Sequence, residues 1–461
     1  MPTNRRDELR SILSIAAPLA ITQVSQLIMN LAASFMLGRI SGPALAAGGL
    51  CAVFIQAISV VSQGVISGSH PLMAAAIGKS ELSSGAEDEV AFAFGGGIVW
   101  AFICSVIGVV ILLSLPNFLH LFSVPPDVLA GVRNFIVYAA WALPAILWIA
   151  PLRFYFSVSG KAWLVMAAIG LGALFYIAML YTLVFGYLGM PALGVGGAGI
   201  AFTTAWWSIA LGLTAFCIWR CYLPRAMLRL EFRKWLRAAR DVWGVGWPIG
   251  LIYAGEFGLT ITMTLMVTSF GTVAIVAHQI VNSLNNIAFN PIVALGQAAT
   301  VRVAYHLGGN RPNSARMAGN LSLVATFLIM ALFGLILLFT SGTVTELFLD
   351  PGVASYTDIQ ITTHSLILIL VAFLIFDGLQ GVSNGCLRGM KDTRVPLIIG
   401  LSGFWLIGMP TAAVLAFGFN FGVVGIWFGI LSGITSVAIM LLWRWHKGSM
   451  LAQASGKWGN G

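Results

Sequence analysis

Residues 247–268 read Trp-Pro-Ile-Gly-Leu-Ile-Tyr-Ala-Gly-Glu-Phe-Gly-Leu-Thr-Ile-Thr-Met-Thr-Leu-Met-Val-Thr. The stretch is apolar and close to the ~20 residues needed to cross a bilayer. A carboxylate, Glu256, stands near its middle, and Pro248 stands at its start. An ionisable side chain at that depth costs about 2.5–3.5 kcal/mol on insertion scales, so it faces a protein or water-filled interior. Pro248 removes a helix hydrogen bond and makes a pivot. A spanning helix with a titratable group and a pivot is suited to moving something across a membrane.

The whole chain shares that apolar character. Of its 461 residues, 59% are hydrophobic and 8% charged, against about 25% charged in soluble domains. Too little polar surface remains to face water, so the chain reads as a polytopic membrane protein. The net charge of +9 is a topology signal and not a nucleic-acid one, because the basic residues sit in short loops between apolar spans. The five cysteines, Cys51, Cys104, Cys217, Cys221 and Cys386, include no Cys-x-x-Cys pair. Neither a disulfide framework nor a metal site is supported. The basic start from Met1 to Arg10 leads into a full-length span, so no cleaved signal peptide is expected.

Twelve spans are predicted, at about 13–37, 47–69, 90–115, 133–155, 163–187, 195–218, 244–269, 274–299, 317–340, 362–387, 394–418 and 422–445. An even number places both termini on one side. That side then holds 22 of the 24 Lys and Arg, leaving only Arg39 and Arg133 opposite. The positive-inside rule makes it the cytoplasm. The long basic loop 220–241 carries Leu228, Phe232, Trp235 and Ala239 on one helical face and Arg225, Arg229, Arg233 and Arg237 on another. It suits a helix lying in the membrane interface, and equally a solvated tether.

An internal repeat organises the spans. With a shift of 230 residues, Arg10 falls on Arg240, Pro18 on Pro248, Met36 on Met266, Ala44–Ala47 on Ala274–Ala277 and Gly78 on Gly308. At a shift of 228, Gly194 and Gly197 fall on Gly422 and Gly425. The expected fold is therefore an all-α integral membrane protein of twelve transmembrane helices in two six-helix lobes related by a parallel repeat. The expected parts are an N-lobe over 1–219, a basic linker over 220–241 and a C-lobe over 242–461.

Only Glu256 and Asp377 are ionisable at mid-span, and both lie in the second half. A buried carboxylate must be paired, protonated or metal-bound. Two on neighbouring helices could share a proton or a monovalent cation; the plainer alternative is a structural hydrogen-bonded acid. Gln279, Asn282, Asn286 and Asn290 form a polar stripe on span eight, with Asn285 adjacent and Pro291 after it. The stripe could line a cavity, ligate an ion, or simply bond helices together. Span one has a milder stripe of Gln23, Gln26, Asn30 and Ser34, in which Gln26 is the repeat counterpart of Glu256. His278 is read first as a hydrogen-bonded interior histidine and second as a functional one.

Three pattern matches are set aside. Gly194–Gly199 fits a dinucleotide fingerprint, but no strand precedes it and the next acid is Glu231. Gly381–Gly385 fits a nucleophile elbow, but it lies inside a span. Gly78-Lys79-Ser80 lacks the first glycine of a phosphate loop, since position 73 is Met73. Close helix packing accounts for the first two.

Pro18, the segment "MLGRISGPALAAGGL" from Met36 to Leu50, Ala277-His278-Gln279, and Leu387-Arg388-Gly389-Met390-Lys391-Asp392 together resemble multidrug and toxic compound extrusion (MATE) transporters. The NorM-like branch is most similar, over roughly Leu9 to Trp445. The resemblance implies two lobes around a cleft and cation-driven export of amphipathic, often cationic, organic compounds. It also implies a Na⁺ or H⁺ site in the second lobe at Glu256 and Asp377. It places Ala33 where the family commonly has an acid, so coupling is expected to rest on the second lobe. The expectation is thus an antiporter of the cytoplasmic membrane with no cofactor beyond its coupling ion and no metal beyond Na⁺. It would act as a monomer on small organic substrates among membrane lipids, without nucleic acid and without enzymatic chemistry. Pro18 and Pro248 are the expected hinges. A lipid-linked oligosaccharide flippase would carry basic residues mid-span, and none is found. An intramembrane enzyme would need clustered Asp, His or Ser motifs, and none remains.

Overall fold

The computed structural model describes residues 4–80, 86–120, 124–220, 222, 232–350, 352 and 355–455, and these are helical throughout with no strand among them. The helices run α1 (Arg5–Gly38), α2 (Gly42–Ile66), α3 (Ser69–Ser80), α4 (Ala86–His120), α5 (Pro126–Ala139), α6 (Ala142–Val158), α7 (Ala162–Phe185) and α8 (Gly194–Trp219). They continue as α9 (Phe232–Thr268), α10 (Gly271–Gly308), α11 (Pro312–Phe348), α12 (Tyr356–Gly389), α13 (Arg394–Leu401), α14 (Met409–Ala413) and α15 (Gly422–Ser455). Eleven of the described stretches are long and apolar enough to cross a membrane, and a twelfth is the pair α5 and α6, bent by 46°. All twelve coincide with predicted spans. Phe102, Leu171, Leu174 and Phe339 are among the large apolar side chains left exposed, as lipid-facing surfaces require.

The departures from straight helices have local causes. Pro144 follows the break between α5 and α6, and carbonyls at the break accept side-chain hydrogen bonds from α8: Thr203 Oγ1 donates to Tyr138 O at 2.7 Å and Trp207 Nε1 to Trp141 O at 2.9 Å. Such substitutes are what permit a broken helix in lipid. Span eleven is wound as α13, a π-helical stretch Ser402–Gly408, α14 and a second π stretch Val414–Gly418. Pro410 interrupts its ladder, and π turns absorb such interruptions. From Phe232 the basic loop is simply the first turns of α9. Residues 233–243 contain no Gly or Pro to stop a helix. Arg233, Arg237 and Arg240 are exposed there, while Ala238 and Ala239 are buried. Arg225, Leu228 and Arg229 lie outside the described residues.

The chain forms two compact units, one of residues 17–250 and one of residues 1–16 with 251–461. Each boundary falls within two residues of a proline inside a helix, Pro18 in α1 and Pro248 in α9. In the unit 17–250, the first turns of α9 are seated by shape. A Cβ on Gly246 would lie 2.0 Å from Val65 O, and one on Gly96 would lie 2.5 Å from Ala238 O. Trp100 Nε1 donates to Ala239 O at 2.7 Å, and its ring stacks on Trp243 at 4.4 Å.

In the other unit the first turns of α1 are seated by charge. Glu8 is 1% exposed. Arg302 Nε and Nη2 donate to its two oxygens at 2.7 and 2.6 Å, and His306 Nε2 lies 3.0 Å from Oε2. Burial pushes this carboxyl up, but hydrogen bonds and charge from Arg302 and His306 outweigh it and hold it at about 2. The centre of the unit is the packing of α10 on α12. A Cβ on Gly385 would stand 2.2 Å from Gly296 O, and Thr300 Oγ1 donates to Gly385 O at 2.8 Å. Gly381 and Gly385 therefore serve helix packing. Gly197 and Gly199 do the same against the carbonyls of Leu183 and Phe135.

Candidate functional site

Glu256 sits on α9 and Asp377 on α12, within the unit of residues 1–16 and 251–461. Asp377 is buried and Glu256 half-buried. Gln380 joins them. It follows Asp377 by three residues, so both project from one face of α12. Its Nε2 donates to Glu256 Oε1 at 3.1 Å. Neither acid has an ion-pair partner among the described residues.

The polar face continues along α12. Ser383 and Asn384 are buried, and Ser383 Oγ and Asn384 Oδ1 have no hydrogen-bond partner among the described residues. Arg388 follows one turn later, and its Nη1 donates to Tyr253 OH at 2.9 Å. Tyr253 precedes Glu256 by one turn of α9. Two carboxylates and an adjacent amide can hold one small cation or one proton. No group of three His, Cys, Asp or Glu is assembled among the described residues.

His278 is buried on α10, with Nε2 3.4 Å from Thr264 Oγ1 and its ring edge-on to Trp427 at 5.8 Å. Its Nδ1 has no partner among the described residues. Trp427 in turn meets Phe373, one turn from Asp377 on α12.

The amide stripe on α10 is not joined to the carboxylates by any hydrogen bond among the described residues. Gln279 and Asn286 are exposed, Asn282 and Asn290 half-buried. Asn290 Nδ2 turns back to Asn286 O at 3.2 Å. Gln26 and Asn30 lie on α1 in the other unit, half-buried and exposed. Ala33 packs against that unit's apolar interior. Sequence reading missed Gln380, although its spacing from Asp377 was the available signal. It took Arg388 as a topology charge and as part of the family segment Leu387–Asp392, and not as a neighbour of the acids.

A family model named MatE matches residues 18–182 and 248–414. The two segments begin at Pro18 and Pro248, 230 residues apart, as the repeat requires. The chain is 34% identical to multidrug resistance protein NorM of Burkholderia vietnamiensis, over 94% of this chain and 92% of that one. It is 32% identical to a probable multidrug resistance protein NorM of Pseudomonas aeruginosa, over 97% and 91%. Among solved structures, the eukaryotic MATE transporter AtDTX14 superposes with a TM-score of 0.85 at 21% identity, covering 98% of this chain and all of that one. The Vibrio cholerae MATE transporter VcmN, in its bent form, gives 0.82 at 18% identity, covering 98% of this chain and 99% of that one.

Proposed function

Because the chain belongs to the MatE family, we propose that it is a transporter, and not an enzyme, that exports amphipathic, often cationic, organic compounds in exchange for inward Na⁺ or H⁺. The name carried by its bacterial relatives, multidrug resistance protein, supports the substrate class. One observation carries the coupling. Glu256 and Asp377 are the mid-span acids, they lie in one compact unit, and Gln380, one turn from Asp377 on α12, donates to Glu256 while no cation among the described residues forms an ion pair with either.

A cation or proton entering this cluster removes charge from the pair. A cationic substrate favours the pair ionised. If each form prefers a different conformation, ion and substrate are mutually exclusive and exchange follows; the ion must bind the two conformations with different affinity. Pro18 and Pro248 are the proposed pivots, since each lies at a boundary of a compact unit. The amides Gln279, Asn282, Asn286 and Asn290, with Gln26 and Asn30, offer uncharged polar contacts to varied substrates. The distribution of Lys and Arg along the sequence supports a cytoplasmic position for both termini. Lys234, Arg237 and Arg240, with Phe92 and Asp241, line an exposed cavity of about 480 Å³, and the three cations outnumber the one acid, a net basic lining for lipid headgroups.

The test is export of a fluorescent organic cation such as ethidium from proteoliposomes, with Na⁺ and pH gradients imposed separately. At least one gradient should drive export. Export indifferent to both would exclude the antiport reading.

A further inference from the structure

Arg302, Arg388 and Arg444 are all partly buried in the unit of residues 1–16 and 251–461. Two of them reach a carboxylate: Arg302 meets Glu8 at 2.6 Å and Arg444 meets Asp392 at 2.9 Å. Arg388 does not. Its guanidinium lies over the Tyr253 ring, 5.2 Å from the centroid, and donates to that phenol at 2.9 Å. Its buried Nε has no partner, and no carboxylate stands within ion-pair distance, among the described residues.

A guanidinium stays protonated in proteins. Partly burying it without a counter-ion is unfavourable, so its charge must be answered from nearby. Tyr253 stands one turn from Glu256 on α9, and Arg388 shares α12 with Asp377 and Gln380. The Arg388–Tyr253 hydrogen bond therefore sets the guanidinium against α9 within about one turn of Glu256. The unneutralised acids and the unneutralised cation thus form one connected group: Asp377, Gln380, Glu256, Tyr253 and Arg388. The other packing against this stretch of α9 is uncharged, with Leu401 facing Gly255 and Trp405 facing Gly258.

Building on the reading of Glu256 and Asp377 as the coupling site, we infer that Arg388 is a resident counter-charge, positioned by Tyr253, which competes with the coupling cation and speeds its release. When the ion leaves, the ionised pair still has a positive charge in reach. When the ion is bound, Arg388 repels it. At an effective dielectric of about 20, unit charges on the order of 10 Å apart interact strongly enough to change a cation's affinity about tenfold. Arg388 is therefore a positioning residue that acts on the ion through the field at Glu256, without touching it.

The experiment measures the rate of ethidium export by the full-length protein in liposomes against Na⁺ concentration, and separately against pH. For Arg388→Gln, the half-saturating concentration of the coupling ion should fall about tenfold, and the maximal rate should fall with it because release slows. Arg388→Lys keeps the charge and should return the half-saturating concentration towards wild type. Tyr253→Phe frees the guanidinium and should shift it the same way by about threefold, a fraction of the full charge effect. A lower maximal rate with an unchanged half-saturating concentration would overturn the inference, as would equal behaviour of the Gln and Lys variants. If Arg388→Gln is not recovered folded, Tyr253→Phe decides on the same criterion. Glu256→Gln separates the two readings. If it keeps ion dependence, the coupling site itself is misassigned. If it loses ion dependence while Arg388→Gln matches wild type, the role of Arg388 alone is wrong.

Discussion

α1 and α9 hold equivalent places in the 230-residue repeat, yet their acids are distributed in opposite ways. α1 carries Glu8 near its foot and an amide, Gln26, in its middle. α9 carries Ala238 at the matching foot and an acid, Glu256, in its middle. Glu8 is ion-paired with Arg302 and lies 3.0 Å from His306 Nε2, while the one side-chain hydrogen bond to Glu256 among the described residues comes from the Gln380 amide. A fully compensated buried carboxylate fastens a helix, because moving it would break its pair. An uncompensated one is available to a mobile cation. A cation in direct hydrogen-bond contact therefore separates Glu8 from Glu256, the proposed coupling acid, although both lie on proline-interrupted helices.

The largest effect should come from the uncompensated pair. Asp377→Asn should reduce gradient-driven export by about 5–150-fold, the usual span of coupling between sites. Combined with Glu256→Gln it should be no worse than either change alone, because residues of one site are not additive. Multiplying losses in the double variant would make the two acids independent and end the contrast with Glu8.

Next comes the compensated acid. Glu8→Gln should cost about 3–5 kcal/mol by leaving Arg302 without its partner, read as a lower melting temperature of the purified protein. The pH dependence has a definite sign. The Glu8 carboxyl is held at about 2, below its ordinary 4.5, so its contribution is full above the ordinary value and is lost as pH falls from there towards 2. Wild type should lose more stability across that window than Glu8→Gln does. A melting temperature equal to wild type at neutral pH would remove Glu8 from its fastening role.

The foot of α9 offers the counterpart. Gly246→Ala forces a methyl against Val65 O and should cost about 1–3 kcal/mol by overpacking, with no pH dependence over the Glu8 window. The smallest effect belongs to Gln26→Ala, which should change apparent substrate affinity by about fivefold, one modest hydrogen bond, and leave ion dependence intact. Loss of ion dependence there would place coupling in the first half.

The spans were legible because twenty-residue apolar runs are hard to mistake, and the repeat was legible because Pro18 and Pro248 recur in register. The exchange of helix feet between units was not. It depends on Gly96 and Gly246 admitting backbone contact and on Glu8 meeting residues almost 300 positions away. Sequence periodicity carries no trace of either. The acids at 256 and 377 stood out as the only mid-span charges. Gln380 and Arg388 did not, because an amide in a span and an arginine at its end are each ordinary. Only the hydrogen bonds to Glu256 and Tyr253 distinguish them.

The contrast between compensated and uncompensated acids is tested most directly by Glu256→Gln. The substitution keeps size and hydrogen bonding and removes one charge. The variant is reconstituted beside wild type, and ethidium export is recorded under an imposed Na⁺ gradient and under an imposed pH gradient, together with ethidium binding. The expected result is normal binding with export that no longer responds to the gradient that drives wild type. Gradient-driven export at the wild-type rate would contradict it, and the amides of α10 beginning with Asn282 and Asn286 would then be the next candidates for the ion.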